Sequence, residues 1–393
     1  MTGKRPTILQ IIPELDTGGA ELSTLEIASA VVAAGGRALV LSEGGRLAPR
    51  IDAAGGEFVP FPAATKNPLR ILWNAHRIAG IVRAEGVDLV HARSRAPAWS
   101  ALIASRRAGV PFVTTYHGAY GEKSAWKRWY NSVMARGDRV IANSRYTRDL
   151  IRSRYGTPPD RIRVIYRGVD GSAFDPAKVS DERVVALTRR CGIGNDSRIV
   201  LQAARLTGWK GQSSVIEAAC RLHASGKLGN AVIVMAGDAQ GRAGYERQLE
   251  SEIKAAGLDG RVLLVGHVDD MAAEFKAAHL AVVASTEPEA FGRAATEAQV
   301  MACPVIATDI GAPPETVKSA PQHGPDEATG WLVPPADAEA LAAAIAEALS
   351  LDPARRAAMG RRARAHVLES FALATMRRQT LAVYEELLGK VWR

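Results

Sequence analysis

Residues 280–302 read LAVVASTEPEAFGRAATEAQVMA. An apolar run, Leu280–Ala284, leads into the loop Ser285-Thr286-Glu287-Pro288. A second stretch then passes from Glu289 through Gly292 into helix-forming sequence. Apolar run, Gly-bearing turn and Ala-rich helix together make the strand–helix unit of a parallel α/β sheet. Gly292 permits close backbone approach where the helix opens. The free amides of Phe291, Gly292 and Arg293 would meet a ligand there, with the helix dipole favouring negative charge. That is a phosphate site. Glu289 and Glu297 stand eight positions apart. On an ideal helix this is about 12 Å of rise with about 80° between them, so they cannot grip one atom. Carboxylates accept hydrogen bonds from hydroxyls. The spacing therefore suits two hydroxylated groups on either side of a diphosphate.

The same alternation runs the length of the 393-residue chain. Thr7–Ile12, Ala38–Ser42, Asp88–His91, Phe112–Thr115 and Arg139–Ala142 read as short buried strands, with helical stretches such as Glu21–Ala34, Leu69–Ala84 and Ala96–Arg107 between them. The series restarts at Ile199–Ala203, Ala231–Ala236, Val262–Val265, Leu280–Ala284 and Pro304–Ala307. Strands separated by helices predict parallel sheets with right-handed crossovers. Two series predict an α/β chain of two Rossmann-like, doubly wound domains facing a deep cleft. The Gly, Asp and Pro cluster from Gly168 to Pro176 marks the seam. The expected domains are 1–176 and 177–372, with a C-terminal helix over 373–393 that crosses back to the first.

Ligands of open parallel sheets bind beyond the carboxyl ends of the strands, and three further signals lie there. Ala204-Arg205-Leu206-Thr207-Gly208-Trp209-Lys210-Gly211 follows Ile199–Ala203. Its two cations, Arg205 and Lys210, can hold both phosphates and neutralise charge as a bond to phosphate breaks. Asp16-Thr17-Gly18-Gly19-Ala20-Glu21 follows the first strand. Gly18 and Gly19 let a ligand near the backbone, or simply make a tight turn. His117 ends a strand in Thr115-Tyr116-His117-Gly118, as a sugar contact through ring or backbone, or as a buried, hydrogen-bonded histidine. Asn143-Ser144 reads first as a helix cap.

Charge is uneven. Residues 1–180 hold 26 Lys and Arg against 15 Asp and Glu, and the remainder 24 against 26. A basic half suggests an anionic partner. Arg93 and Arg95 are candidate contacts to an anionic acceptor. No zinc-finger spacing or RNA-binding aromatic pattern appears, so nucleic acid is not the expected partner. In EKSAWKRWYNSVMAR, residues 122–136, Trp126, Trp129, Tyr130 and Val133 fall at helical spacing, apart from Lys123, Lys127 and Arg128. That arrangement suits either an anionic lipid surface or a core-facing stripe. No apolar run reaches the 18 or so residues of a membrane span. The opening stretch is too soon broken by Pro13 and Glu14 for a signal peptide. Cys191, Cys220 and Cys303 are isolated and suit a reducing compartment. The expectation is a cytoplasmic protein, peripheral on the inner membrane face if the aromatic stripe meets lipid. There is no Asp-x-Asp, HExxH or His/Cys cluster, so neither metal nor cofactor is expected.

The two-half plan with EAFGRAATE, ARLTGWKG and DTGGAE resembles glycosyltransferase family 4, of the GT-B fold, over essentially the whole chain. The resemblance implies a retaining, metal-independent hexosyl transfer from a nucleotide-diphosphate sugar to a glycan or glycolipid acceptor, as in lipopolysaccharide or surface polysaccharide synthesis. It implies that Arg205 and Lys210 hold the diphosphate and that Glu289 contacts sugar hydroxyls. Phe291, Gly292 and Arg293 would lie beside sugar and phosphate, and Glu297 would hold the ribose. Gly19 would lie near the phosphates, His117 near the transferred sugar, and Gly266-His267-Val268 beside the base. The chain departs from the family at Arg167, where many members have Asn, and in the longer interval Gly237–Gly241. The rival readings are a nucleotide-sugar epimerase of the same fold, which should show an acid/base pair, and a non-catalytic binding module, which should lack Lys210 or Glu289.

Overall fold

The structure is a computed structural model and describes residues 5–16, 18–121, 124–194 and 196–389. It divides into two compact units. One runs to Gly168 and resumes at Ala374; the other is Val169–Leu373.

The first unit holds a parallel sheet of β1 (Thr7–Ile11), β2 (Arg37–Ser42), β3 (Glu57–Pro60), β4 (Leu89–Ala92), β5 (Phe112–Tyr116), β6 (Arg139–Ala142) and β7 (Ile162–Val164), in the order β3-β2-β1-β4-β5-β6-β7. The second holds β8 (Arg198–Ala203), β9 (Ala231–Ala236), β10 (Val262–Gly266), β11 (Ala278–Val283), β12 (Val305–Thr308) and β13 (Gly330–Val333), in the order β10-β9-β8-β11-β12-β13, again parallel. Central strands of such sheets are covered on both faces and read as continuous apolar runs. All five residues of β1 and all six of β9 are buried. Leu9, Ile11, Val90 and Phe112 centre one core, and Val200, Ile233, Leu280 and Ile306 the other.

The strands that sequence pattern missed, β3, β7 and β13, are all edge strands. Glu57-Phe58-Val59-Pro60 carries a charge and a proline, and Ile162-Arg163-Val164 is three residues long. Edges need no unbroken apolar run, and proline is tolerated there.

The helix Pro68–Ala84 starts where the Asn67 side chain accepts from the amides of Leu69 and Arg70, at 2.9 and 3.3 Å. Ser144 caps Arg145–Tyr155 by accepting from the Thr147 amide at 3.0 Å. The seam lies at Gly168, upstream of the expected Pro176. The Val169 amide donates to Phe371 O at 2.8 Å, and the Leu373 amide to Val169 O at 2.9 Å, so Val169 already pairs within the second unit. From Ala374 onward the helix Leu373–Leu388 belongs to the first unit. There Tyr384 is fully buried against His91, and Glu386 pairs with Arg139 and Arg163. The expected basic, Trp-bearing end of this helix, from 390 on, lies outside the described residues.

Candidate active site

Each sheet reverses its strand order once: between β1 and β4, and between β8 and β11. Such a reversal opens a crevice beyond the strand ends, because the two outgoing loops diverge. ARLTGWKG leaves β8 and STEPEAFGRAATE leaves β11, and these strands are neighbours. The topology therefore brings the two strongest motifs to one place.

Their contact is direct. Lys210 Nζ forms an ion pair with Glu289 Oε1, and both side chains are mostly buried, at 17% and 10% exposure. Ser285 Oγ donates to the same oxygen at 2.6 Å. The Thr286 amide donates to Trp209 O at 2.8 Å, and the Trp209 ring lies 4.2 Å from Lys210 Nζ. Gly211 explains the fit. Its φ is +73°, and a Cβ there would stand 1.9 Å from Ala284 O, so only glycine lets the loops close. Gln202 Nε2 braces the Lys210 carbonyl at 2.8 Å, and Gln212 Nε2 braces that of Arg205 at 3.0 Å. Glu289 is held from the other side, where the Ala312 amide donates to its carbonyl at 2.9 Å.

Gly292, with φ +81°, precedes the helix Arg293–Val300 and is buried. Phe291 is buried and packs edge-on against Phe371. Arg293 Nε donates to Glu297 Oε1 at 3.0 Å, one helical turn on. Arg205 is exposed, and its Nη1 reaches Gln240 Oε1 at 3.3 Å. The long interval after β9 thus holds the cation that the motif after β8 presents. The Gly266 carbonyl accepts from the Gly237 amide at 2.8 Å. Val268 is buried, while the exposed His267 faces Asp269 at 3.0 Å. Arg205, Lys210, Glu289, Gly292, Arg293 and Glu297 all belong to this one unit. Cations, helix amides and carboxylates arranged so can take a diphosphate with polyols on both sides.

The β1/β4 end of the first unit is built differently. Gly18 precedes the helix Gly19–Ala33, and the Glu21 carboxylate stands where a Gly18 Cβ would be. An anion reaching Gly18 or Gly19 needs that side chain to swing away. Thr17 of this motif lies outside the described residues. Arg93, a candidate contact to an anionic acceptor, is buried at 2% exposure. Its Nη2 donates to Ser23 Oγ at 2.6 Å. Burial pulls its guanidinium down to about 10, against the charges of Tyr384 and Glu26. Arg95 is half-buried, lies 4.0 Å from the Tyr120 ring centroid and donates to Asn131 Oδ1 at 2.9 Å. His91 is enclosed between Tyr384 Oη (2.6 Å) and Thr115 Oγ1 (2.7 Å). His117 Nδ1 lies 2.7 Å from Arg167 Nη2. Burial, then the Arg167 and Arg93 charges, hold the His117 ring well below the usual histidine range.

Residues 122–136 resolve into the helix Ala125–Asn131 and a 3₁₀ turn, with Glu122 and Lys123 outside the described residues. Val133 is fully buried, whereas Trp126 and Trp129 are 70% and 46% exposed, so the stripe does not face the core as one. Trp129 is sandwiched between Trp99 and Trp126, at 4.6 and 4.9 Å. Sequence reasoning missed Ser285, Gln202, Gln240 and Arg167 as partners. Ser285 and Gln240 stood inside quoted stretches, but nothing local announces which side chain they meet.

Two family models match, Glycosyltransferase Family 4 over residues 17–172 and Glycosyl transferases group 1 over residues 187–366. A D-inositol 3-phosphate glycosyltransferase of Xylanimonas cellulosilytica is 30% identical over 380 residues, covering 89% of this chain and 87% of that one. A crystal structure of a glycosyltransferase from Rickettsia africae superposes with a TM-score of 0.88 at 33% identity, covering 99% of this chain and all of that one. HepE of Anabaena, solved with UDP-glucose, superposes with a TM-score of 0.82 at 26% identity over 97% of this chain and all of that one.

Proposed function

The chain belongs to glycosyltransferase family 4 and has its two-domain GT-B fold, and from that premise we propose a retaining, metal-independent transfer of a hexose from a UDP- or GDP-sugar. The observation that carries this reading is the Lys210–Glu289 pair at the β8/β11 reversal, beside the open end of Arg293–Val300. HepE, solved with UDP-glucose, supports the donor class.

In this mechanism the incoming diphosphate draws Lys210 away from Glu289. Lys210, Arg205 and the amides of Gly292 and Arg293 then hold the phosphates. Glu289, relieved of its cation, accepts from sugar hydroxyls, and Glu297 from the ribose. As the sugar–phosphate bond lengthens, negative charge grows on the leaving oxygen, and the fixed cations and amides stabilise it. That oxygen takes the acceptor's proton, and the acceptor adds on the face the diphosphate leaves.

The acceptor is a glycan or glycolipid of surface polysaccharide synthesis. The basic first half of the chain favours an anionic one. A second reading, a phosphorylated polyol, is favoured by the names of relatives such as the Xylanimonas enzyme. Of the seven large apolar side chains that are exposed among the described residues, five lie on two helices of the first unit: Leu69, Leu72, Trp73, Trp126 and Trp129. Lys66, Arg70, Lys127 and Arg128 stand among them. Exposed apolar and basic side chains of this kind suit an anionic membrane surface, where apolar burial and charge attraction add. Trp126→Ala with Trp129→Ala should cut sedimentation with anionic vesicles severalfold; equal binding to anionic and neutral vesicles refutes the lipid reading.

The function is tested by thermal shift with a panel of nucleotide sugars in EDTA. A donor at 100 times its Kd adds about 2.7 kcal/mol of stability. No shift with any UDP- or GDP-hexose, or a shift only when metal is restored, overturns the proposal. Transfer assays with a glycolipid and with D-inositol 3-phosphate separate the two acceptor readings.

A further inference from the structure

The proposed mechanism gives no task to Arg167, which stands directly before the seam at Gly168. Arg167 is buried at 7% exposure, and its Nη2 lies 2.7 Å from His117 Nδ1. A guanidinium offers donors and no acceptor. Nδ1 must therefore accept, and the proton of a neutral ring resides on Nε2. That Nε2 is itself buried and meets no acceptor among the described residues. Native structures seldom leave a buried donor unmade, and one that stays unmade is a place for a ligand or water oxygen. Burial and the neighbouring cations keep the ring neutral, so the tautomer is the property left to fix.

We infer that Arg167 is a positioning residue, holding His117 in the one tautomer whose Nε2–H is left to donate to a hydroxyl oxygen of a bound substrate. A side chain with both donor and acceptor would permit both tautomers; a guanidinium permits one. The substrate as partner rests on the transferase function proposed above, whereas the tautomer does not.

The test has two arms on the full chain. In the first, protein with ¹⁵N-labelled histidine is examined by long-range ¹H–¹⁵N correlation without ligand, and the His117 signals are assigned with His117→Gln. The expected spectrum shows a bare Nδ1 and a protonated Nε2. Arg167→Leu should mix or invert the tautomers, and Arg167→Lys, which keeps a cationic donor, should restore them. A proton on Nδ1 in the wild type, or a tautomer unmoved by Arg167→Leu, overturns the inference. If Arg167→Leu does not fold, the wild-type spectrum and Arg167→Lys still decide.

The second arm measures kcat and KM with UDP-glucose, or with GDP-mannose if that is the donor that stabilises the protein. His117→Ala and Arg167→Leu should each lower kcat about tenfold, the size of one lost hydrogen bond, with KM nearly unchanged. The double variant should be no worse than either single, and Arg167→Lys should recover most of the loss. Additive losses, or unchanged kcat in Arg167→Leu, overturn the role. A wild type that turns over no UDP- or GDP-hexose sinks the proposed donor class and the substrate contact with it, while the tautomer is still settled by the spectrum.

Discussion

The two strand-order reversals share one topology and differ in electrostatics. At β8/β11 each of two cations is matched to a carboxylate: Lys210 to Glu289 and Arg293 to Glu297. Near β1/β4, Arg93 and Arg167 stand with the buried imidazoles of His91 and His117, and Glu26 supplies counter-charge to Arg93. A group that must meet phosphate or sugar can be kept in place by a partner of opposite charge until the ligand exchanges with it. The first unit instead holds neutral rings among cations, suited to donating hydrogen bonds rather than to binding charge.

Removing one side of the matched pairs should give the largest effect. Lys210→Ala is expected to lower turnover by about 10² to 10³, the usual cost of one preorganised charge partner. A steady-state rate within a fewfold of wild type would break the comparison at its strongest point. Glu289→Gln should lower turnover by about 10² yet bind UDP, which has no sugar, more tightly than wild type, because Lys210 then starts unpaired. Calorimetry showing weaker UDP binding in this variant would remove the exchange step from the mechanism.

Acid should separate the units. His91 and His117 are held well below 6.5, so the unfolded chain takes up protons that the folded unit refuses. Their contribution is intact above about pH 6.5 and lost as pH falls, by about 1.4 kcal/mol per pH unit for each ring. In the second unit His279, pulled down to about 4, and His366 act the same way. There Glu274, pushed up to about 7 by burial, opposes them, because its folded carboxyl takes a proton that the unfolded one does not until about 4.5. From pH 7 to 5, hydrogen exchange should therefore show β4 and β5 losing protection before β8 and β9. Equal losses would remove this distinction. The smallest effect is expected at Glu297→Gln, about a tenfold rise in donor KM with kcat nearly unchanged; a fall in kcat instead would move Glu297 from ribose binding into the chemistry.

The candidate site of the second unit lies in two runs, 204–211 and 285–297, whose residue types suggest their chemistry. Its assembly follows from strand order alone, since β8 and β11 are neighbours. The first-unit cluster joins His91, Arg93, His117, Arg167 and Tyr384 across nearly 300 positions, and no local period or motif links them. Arg93 shows the cost. A basic residue after a strand reads as a candidate contact to an anion, and only the packing of Ser23 and Glu26 from the first helix reveals that it is buried. The central strands were legible because burial on both faces demands apolar runs. The edges β3, β7 and β13 escaped because nothing demands that of them.

The proposed pyrophosphate cradle lies between the loops that leave β8 and β11. Calorimetric titration of UDP and GDP in EDTA, into wild type and into Lys210→Ala with Arg205→Ala, tests it most directly. The expected result is saturable binding of one of the two to wild type, weakened at least about a hundredfold when both cations are gone. Equal affinity in the two proteins would place the diphosphate elsewhere and contradict the account.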